Sequence, residues 1–99
     1  MLEVEQLFSS HGRVRIMSVM MASGELNVSE IARRSGGSHS SVVRHLEFLV
    51  ASGILTEKRF SRIRICRVNY SNPYTAVLNQ FFSDWKTISS SVVLERSFN

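Results

Sequence analysis

Apolar residues recur at helical spacing along two stretches in the first half of the chain. In residues 12–23 they lie almost all round the predicted helix, which is typical of a helix buried on more than one side. In residues 38–51 they form one stripe, with Val42, Leu46 and Leu49 at positions i, i+4 and i+7. The second stretch therefore predicts a helix with one buried side and one side left for solvent or a partner.

A shorter helix is predicted before this one, beginning at Asn27. The Asn27 side chain can accept the backbone N–H of Glu30, and Glu30 can reach back to complete a capping box. The helix then meets the sequence SGG, which breaks it because glycine loses much backbone freedom in a helix. Ser38 caps the next helix. Residues 27–53 are thus predicted to form two helices joined by a tight turn.

A β-hairpin is predicted over residues 56–68, where helical spacing gives way to alternation. Residues 54–56 begin one strand, and residues 63–68 alternate with period two. Leu26 or Val28 can add a third short strand ahead of the helix pair. The predicted fold class is mainly α with a small β-hairpin (α+β), with about five helices and a two- or three-stranded sheet.

The orientation of the second hairpin strand follows from the same alternation. Ile63 and Ile65 lie on one face, and a half-buried strand normally has one apolar face. We therefore predict that Ile63 and Ile65 face the core. Arg62 and Arg64 then point outward.

The last helix is predicted to open at residues 71–73 with a capping residue followed by proline, and to fray at residues 89–91. Its apolar stripe is wide and aromatic, more than one helix needs to cover a small core. We therefore predict that residues 73–90 and residues 1–8 contribute to a homodimer interface. The residues assigned to this interface are Leu2, Leu7, Phe8, Tyr74, Val77, Leu78, Phe81, Phe82, Trp85 and Ile88. The alternative is that the stripe serves a core within one chain.

Three motifs resemble those of a known family, in the same order and at similar spacing. The sequence SSVVRHLEFLVASGIL resembles the recognition helix of the ArsR/SmtB-like winged helix-turn-helix regulators. HGRVRIMSVM resembles the first core helix of that family, and NVSEIARRSG resembles the second. The resemblance covers most of residues 9–70. It implies helix 38–51 in a DNA major groove and hairpin 56–68 as a wing on the flanking backbone or minor groove. The length of the chain predicts a single domain over residues 1–99. Small stand-alone proteins similar to this one are frequent in archaea and their viruses.

The resemblance also raises points of difference. The family register would turn Arg64, Cys66 and Val68 inward, opposite to the orientation predicted from alternation. Gly37 stands where the family turn usually has an apolar residue, which implies a looser turn. Metal sensors of the family carry paired cysteines near the recognition helix or His/Asp sets in the last helix. This chain has a single cysteine, so the resemblance does not extend to metal sensing.

Positive charge is concentrated in the predicted wing. The chain has a net charge of +4, and residues 57–67 hold five cations against Glu57 alone. That stretch carries the excess of the whole chain, which is typical of a site for a polyanion. The alternative is a solvated edge hairpin protected by cations. Arg44 is predicted to read a base, most simply guanine. The residues predicted to contact DNA are Ser38, His39, Ser40, Ser41, Val43, Arg44, Lys58, Arg59, Arg62 and Arg64.

The sequence gives no support for catalysis, a metal or a cofactor. It has no glycine-rich phosphate loop and no Ser/His/Asp set at recognisable spacing, so we predict that the protein is not an enzyme. His45 is predicted to pack between helices. The lone Cys66 is either a redox or intersubunit site or, more simply, a small buried side chain. No apolar run is long enough to span a membrane, and the acidic start excludes a signal peptide, so a cytoplasmic, nucleoid-associated protein is expected.

These observations favour a homodimeric, sequence-specific regulator of transcription that binds double-stranded DNA. A second hypothesis is a winged helix used for protein contact within a transcription or replication assembly. A third is a ligand- or redox-responsive repressor, although no small-molecule effector can be identified from the residues.

Overall fold

The computed structural model describes the backbone of residues 2–97 and the side chains of residues 2–91. Over this range the chain forms five helices and three strands, which confirms the predicted winged helix-turn-helix architecture. In chain order they are α1 (Val4–Leu7), α2 (His11–Ser23), β1 (Glu25–Asn27), α3 (Val28–Ser35), α4 (His39–Ala51), β2 (Leu55–Phe60), β3 (Ile63–Val68) and α5 (Pro73–Ser97).

Each helix of the central trio begins at a side-chain cap that satisfies a free backbone N–H group. Ser10 accepts from the N–H of Arg13 at 3.0 Å at the start of α2, and Asn27 accepts from Glu30 at 2.8 Å at the start of α3. Ser38 caps α4 in the same way. The predicted caps at residues 27 and 38 are therefore confirmed.

The predicted reciprocal half of the α3 cap is wrong. The Glu30 carboxylate does not return to the Asn27 backbone; it binds Arg33 and Arg34, one turn further along the helix. These two guanidinium groups lower the pKa of Glu30 to about 2. Two cations outcompete one backbone N–H because charge-assisted hydrogen bonds are the stronger ones.

The core lies between α2, α3, α4 and the covered face of the sheet. The apolar stripe predicted for α4 is buried there in full, together with one side of α2. The buried apolar residues are Leu7, Ile16, Met17, Met20, Met21, Val28, Ile31, Val42, Leu46, Leu49, Ile54, Leu55, Cys66, Val68 and Leu78.

The three strands form an antiparallel sheet in the order β1-β3-β2. Because β3 is central, its covered face is set by both neighbours: Cys66 pairs with Leu26 of β1, and Val68 pairs with Leu55 of β2. Cys66 and Val68 are buried, whereas Ile63 is exposed. The prediction that Ile63 and Ile65 face the core is therefore wrong, and the register implied by the family resemblance is the one observed.

Helix α5 is longer than predicted. It begins at Pro73 as expected but continues through the serine run at residues 89–91 and on to Ser97. The hydroxyl groups of Thr87, Ser90 and Ser91 donate to backbone carbonyls four residues earlier, at 3.0–3.2 Å, so they are satisfied without breaking the helix. Within the described chain, neither this helix nor any other is long and apolar enough to cross a bilayer.

Candidate nucleic-acid interface

Helix α4 separates a buried stripe from an exposed polar side. Val42, Leu46 and Leu49 are buried, whereas His39, Ser40, Arg44 and Glu47 are exposed. The exposed side begins at the N-terminus of the helix, where free backbone N–H groups favour an anion. It therefore offers small hydroxyl groups, a cation and a positive helix end together.

Two of the residues predicted for the exposed side are half-buried. Val43 packs against the core, and Ser41 is partly covered. Val43 lies between the two sides of α4, so the prediction that it is exposed is wrong. The turn before α4 is also closed rather than loose, because a Cβ placed on Gly37 would lie 3.1 Å from the Cγ2 atom of Val42.

The N-terminal half of α2 holds α4 in place through His45. The Nδ1 atom of His45 accepts a hydrogen bond from Nε of Arg13 at 3.3 Å, and its Nε2 atom lies 3.5 Å from the Ser10 hydroxyl. A Cβ on Gly12 would lie 3.2 Å from that Nε2 atom, so the first turn of α2 is packed closely on the imidazole. Burial, Arg13 and Arg44 lower the pKa of His45. The neutral ring is a packing residue, as the sequence predicts.

Arg13 connects three helices at this point. Besides His45 of α4, its guanidinium donates to the backbone carbonyl of Gln6 in α1 and lies 3.9 Å from the centroid of the Phe48 ring. A guanidinium over an aromatic face is an attractive cation–π contact. The sequence pattern does not reveal this role of Arg13, because its partners are 7 to 35 residues distant along the chain.

One face of the hairpin β2–β3 continues the covered face of the sheet beyond the core. Arg59 and Arg64 are directly opposite each other there, and like charges in that arrangement destabilise a sheet. Glu57 binds Arg64 on the same face, and the hydrogen bond from Arg64 lowers the pKa of Glu57. The charge of Glu47 on α4 also acts on Arg64, so this face looks toward α4. Arg64 is half-buried and paired, contrary to the prediction that it points freely outward.

The hairpin ends in a two-residue turn, because Phe60 and Ile63 are paired across the strands. Within that turn Ser61 has a φ of 55°, in the left-handed region that favours glycine. The cations Lys58, Arg59 and Arg62 are exposed around it. A non-glycine residue therefore occupies a left-handed position in a tight two-residue turn.

The predicted DNA-contacting residues therefore fall into two groups. Exposed residues are Ser38, His39, Ser40 and Arg44 on α4, and Lys58, Arg59 and Arg62 on the hairpin. Half-buried residues are Ser41, Val43 and Arg64. Glu57 was not predicted as part of the site. Its negative charge among the cations of the hairpin is the sequence feature that indicates a pairing with Arg64.

A second exposed surface is apolar and lies along α5 and α1. Phe8 and Phe81 meet edge to face with ring centroids 5.8 Å apart, and Phe81 stacks on Trp85 at 5.9 Å. Trp85 nevertheless remains 64% exposed. A groove of about 400 Å³ lies beside these rings, between α2 and α5. The exposed members of the predicted interface are Phe8, Tyr74, Val77, Phe81, Trp85 and Ile88.

The remaining members of the predicted interface lie deeper. Leu7 and Leu78, which the sequence assigns to the dimer interface, are buried in the core of the single chain. Leu2 and Phe82 are half-buried and pack against that core. Helical spacing does not separate Leu78 and Phe82 from the exposed residues of α5, because it does not show that the start of α5 packs against α2 of the same chain.

Cys66 is fully buried, and burial together with Glu57 raises the pKa of its thiol to about 11. A buried thiol with a raised pKa is a poor nucleophile and a poor redox sensor. Among the described residues, no group of three or more His, Cys, Asp or Glu side chains is placed to hold a metal ion.

Comparisons with known proteins agree with this architecture. Residues 10–57 match the model of a family described as bacterial regulatory protein, arsR family. The structure of HlyU from Vibrio cholerae N16961 is similar, with 16% identity, a TM-score of 0.70, and coverage of 83% of this chain and 86% of that one. The transcriptional repressor BigR from Xylella fastidiosa has 22% identity and a TM-score of 0.70, with coverage of 84% and 79%. No curated protein matches the chain significantly in sequence.

The matched segment runs from the start of α2 into β2 and contains the whole helix-turn-helix. It includes the three motifs on which the family resemblance was based. A match to a regulatory family also confirms the prediction that the protein is not an enzyme. Residues 10–57 therefore match the arsR family of bacterial regulatory proteins, and the described chain has the winged helix-turn-helix fold.

Proposed function

We propose that the protein is a homodimeric regulator of transcription that binds double-stranded DNA in a sequence-specific manner. The observation that carries this proposal is the exposed side of α4, which presents Ser40 and Arg44 beside a hairpin whose exposed charges are cations. A helix that serves only the interior, or one that is simply solvated, does not need exposed hydroxyl groups and a cation next to a cationic hairpin. A duplex matches it, because bases are read in the groove and phosphates lie along its rim.

Helix α4 is the part that enters the major groove. Small side chains at its start allow close approach to the duplex, and the helix N-terminus favours a phosphate. Arg44 lies one turn further on and is long enough to reach base edges, where its guanidinium matches the two acceptors of guanine. The Ser38 hydroxyl already caps the helix, so His39 and Ser40 are the freer contacts in the first turn.

The hairpin is the part that lies on the flanking backbone. Arg59 and Arg64 repel each other across the strands, and Glu57 balances only one of them. A phosphate between the two would relieve the remaining repulsion. Lys58, on the other face of β2, and Arg62, in the turn, add two exposed cations near the tip.

Dimerisation is proposed through the exposed aromatic surface of α5 and α1. The groove beside Phe8, Phe81 and Trp85 is the kind of apolar feature that a second copy of the same surface would fill. A two-fold dimer would present two α4 helices to an inverted repeat with half-sites about 34 Å apart. Because its ligand is DNA, we place the protein inside the cell.

Selection of bound sequences from a random duplex pool tests the proposal directly. We expect one recovered motif with two-fold symmetry. Arg44→Ala should lower affinity for that motif by about 1–3 kcal/mol and relax preference at one base pair per half-site. Arg62→Ala should weaken binding to all sequences and reduce the salt slope by about one. Recovery of no motif, with Arg44→Ala as tight as the parent, would contradict sequence-specific binding.

A protein-contact function is the second candidate, and the exposed aromatic surface is the observation that favours it. A protein partner could cover Trp85 and Ile88 as well as a second copy could. Titration with mixed-sequence duplex at low salt separates the two, because phosphate neutralisation gives measurable affinity for any duplex at low ionic strength. Absence of binding at low salt would favour the protein-contact function.

A further inference from the structure

The outer face of the hairpin tip carries an apolar pair that the charge-based function does not use. Phe60 and Ile63 are directly opposite each other, next to the turn, and are 58% and 54% exposed. Ile65 is half-buried behind them on the same face. A cross-strand pair of this kind adds only a little to the stability of the hairpin. Large apolar side chains that remain exposed at a protruding tip are typical of a contact surface.

The charges around this pair are all of one sign. Residues 58–67 contain no acidic side chain, and Lys58, Arg59 and Arg62 are exposed there. The ammonium group of Lys58 lies 5.9 Å from the centroid of the Phe60 ring, so cation and apolar surface form one patch. The nearest carboxylate, that of Glu57, lies on the opposite face and is bound by Arg64. A partner of this tip must combine apolar surface with negative charge.

The minor groove of DNA has this combination, because its walls are deoxyribose rings and its rims are phosphates. A two-stranded ribbon is too wide to enter a groove about 6 Å wide, but the side chains at its tip can reach into it. Apolar side chains that enter a minor groove are a known means of widening or kinking the duplex. The tight turn at Ser61 keeps this tip narrow, and Arg59 lies on the other face, which the proposed function assigns to the phosphates.

We propose that Phe60 and Ile63 pack against the sugar walls of the minor groove beside the site occupied by α4. This inference rests on the proposed DNA-binding function and adds an apolar component to it. The hairpin then binds through two faces: cations on the face toward α4 hold phosphates, and the Phe60–Ile63 pair on the outer face excludes water from the sugars. An apolar component does not depend on counterion release, so it persists at high salt.

The test is a titration of duplex against the full chain at several salt concentrations, with Phe60→Ala and Ile63→Ala as variants. Both residues are exposed at a tip, so the fold is expected to be retained, and circular dichroism checks it. Each variant should lose roughly tenfold in affinity at every salt concentration, with the salt slope unchanged. Lys58→Gln, on the same face, should instead reduce the slope by about one.

Tyr70→Ala is the matched control. Tyr70 is 61% exposed, so it tests the loss of an exposed aromatic ring away from both proposed surfaces. It should bind as the parent does. Hydroxyl-radical cleavage, which attacks sugars from the minor groove, should show protected positions in the parent complex that are lost in Phe60→Ala.

Three results would overturn the inference. Parental duplex affinity in Phe60→Ala and Ile63→Ala would remove it while leaving the proposed function intact. A loss that disappears at high salt would show that Phe60 acts by placing Lys58 rather than by packing. Phe60-dependent binding to vesicles of anionic lipid, with duplex affinity unchanged, would assign the tip to a membrane. If the parent protein binds no duplex at all, the proposed function fails as well.

Discussion

Helices α2 and α5 are both rich in apolar residues, but those of α2 are mostly buried and those of α5 are mostly exposed. One side of α2 is covered by α3, α4 and the sheet, and Ile16 is 1% exposed. Helix α5 is covered only near its start, and Ile88 is 61% exposed. The same residue type at helical spacing therefore marks an internal core in one helix and an open surface in the other. Apolar spacing shows that a helix needs a partner but not whether that partner is the same chain.

The comparison is tested most strongly by truncating the same residue type on both helices. Ile16→Ala removes a fully buried side chain and should lower the free energy of unfolding by about 2–5 kcal/mol. Ile88→Ala should leave the isolated chain almost unchanged. Chemical denaturation at several protein concentrations measures both.

The concentration dependence is the informative part of that experiment. Ile16→Ala should destabilise equally at all concentrations, whereas Ile88→Ala should destabilise only where the parent is a dimer. An equal loss in both variants at high dilution would show that α5 belongs to the internal core.

A sharper test of the open surface is the exposed indole of α5. Trp85→Ser should weaken self-association by about 100-fold, because large aromatic side chains at the centre of an interface dominate its energy. Sedimentation equilibrium measures the change. Tyr70→Ser, an exposed aromatic outside the surface, is the control. Unchanged association in Trp85→Ser would mean that two copies do not meet here.

The hairpin also has a residue between the covered and the open surface, because the Arg64 side chain is half-buried. Glu57→Gln would release Arg64 to a phosphate, so affinity for any duplex should rise roughly three- to tenfold at low salt. The control is Glu25→Gln. Glu25 of β1 accepts a hydrogen bond from Arg67 at 2.9 Å, and Arg67 lies on the same strand as Arg64 but at the end away from the tip. Both variants add the same net charge. An equal gain in both would show that overall charge, rather than release of Arg64, is responsible.

The smallest expected effect concerns the covered contact between α2 and α4. The pKa of His45 is lowered in the folded chain from 6.5, so the unfolded chain takes up a proton first as the pH falls. Stability from this contact is therefore present above pH 6.5 and is lost as the pH falls toward the lowered folded value. His45→Gln should flatten this part of the stability profile, measured by urea denaturation between about pH 7.5 and 5.5, one unit either side of the ordinary histidine pKa. A profile of the same slope in both proteins would contradict the assignment.

The elements that sequence predicted well are those fixed by neighbouring residues. The caps at Asn27 and Ser38 and the stripe of α4 depend on side chains within one or two turns. The errors concern choices made by distant partners. Alternation in β3 fits two orientations, and pairing with Leu26 and Leu55 decides between them.

The candidate site shows the same limit. The exposed positions of His39, Ser40 and Arg44 follow from the period of the helix, so sequence was sufficient there. The pairing of Glu57 with Arg64 depends on strand register, which the predicted orientation had reversed. The exposed tip pair was missed for the same reason, since the prediction turned Ile63 inward.

Arg13 gives the molecule a mechanical link between its two working surfaces. Its guanidinium touches α1, which flanks the aromatic surface, and His45 in α4, the helix proposed to bind DNA. If α1 moved when two copies associate, Arg13 would move with it. The hydrogen bond from Arg13 to His45 would then change, and so would the position of α4. By thermodynamic reciprocity, a duplex that binds one position of α4 more tightly must favour the association of two copies to the same degree.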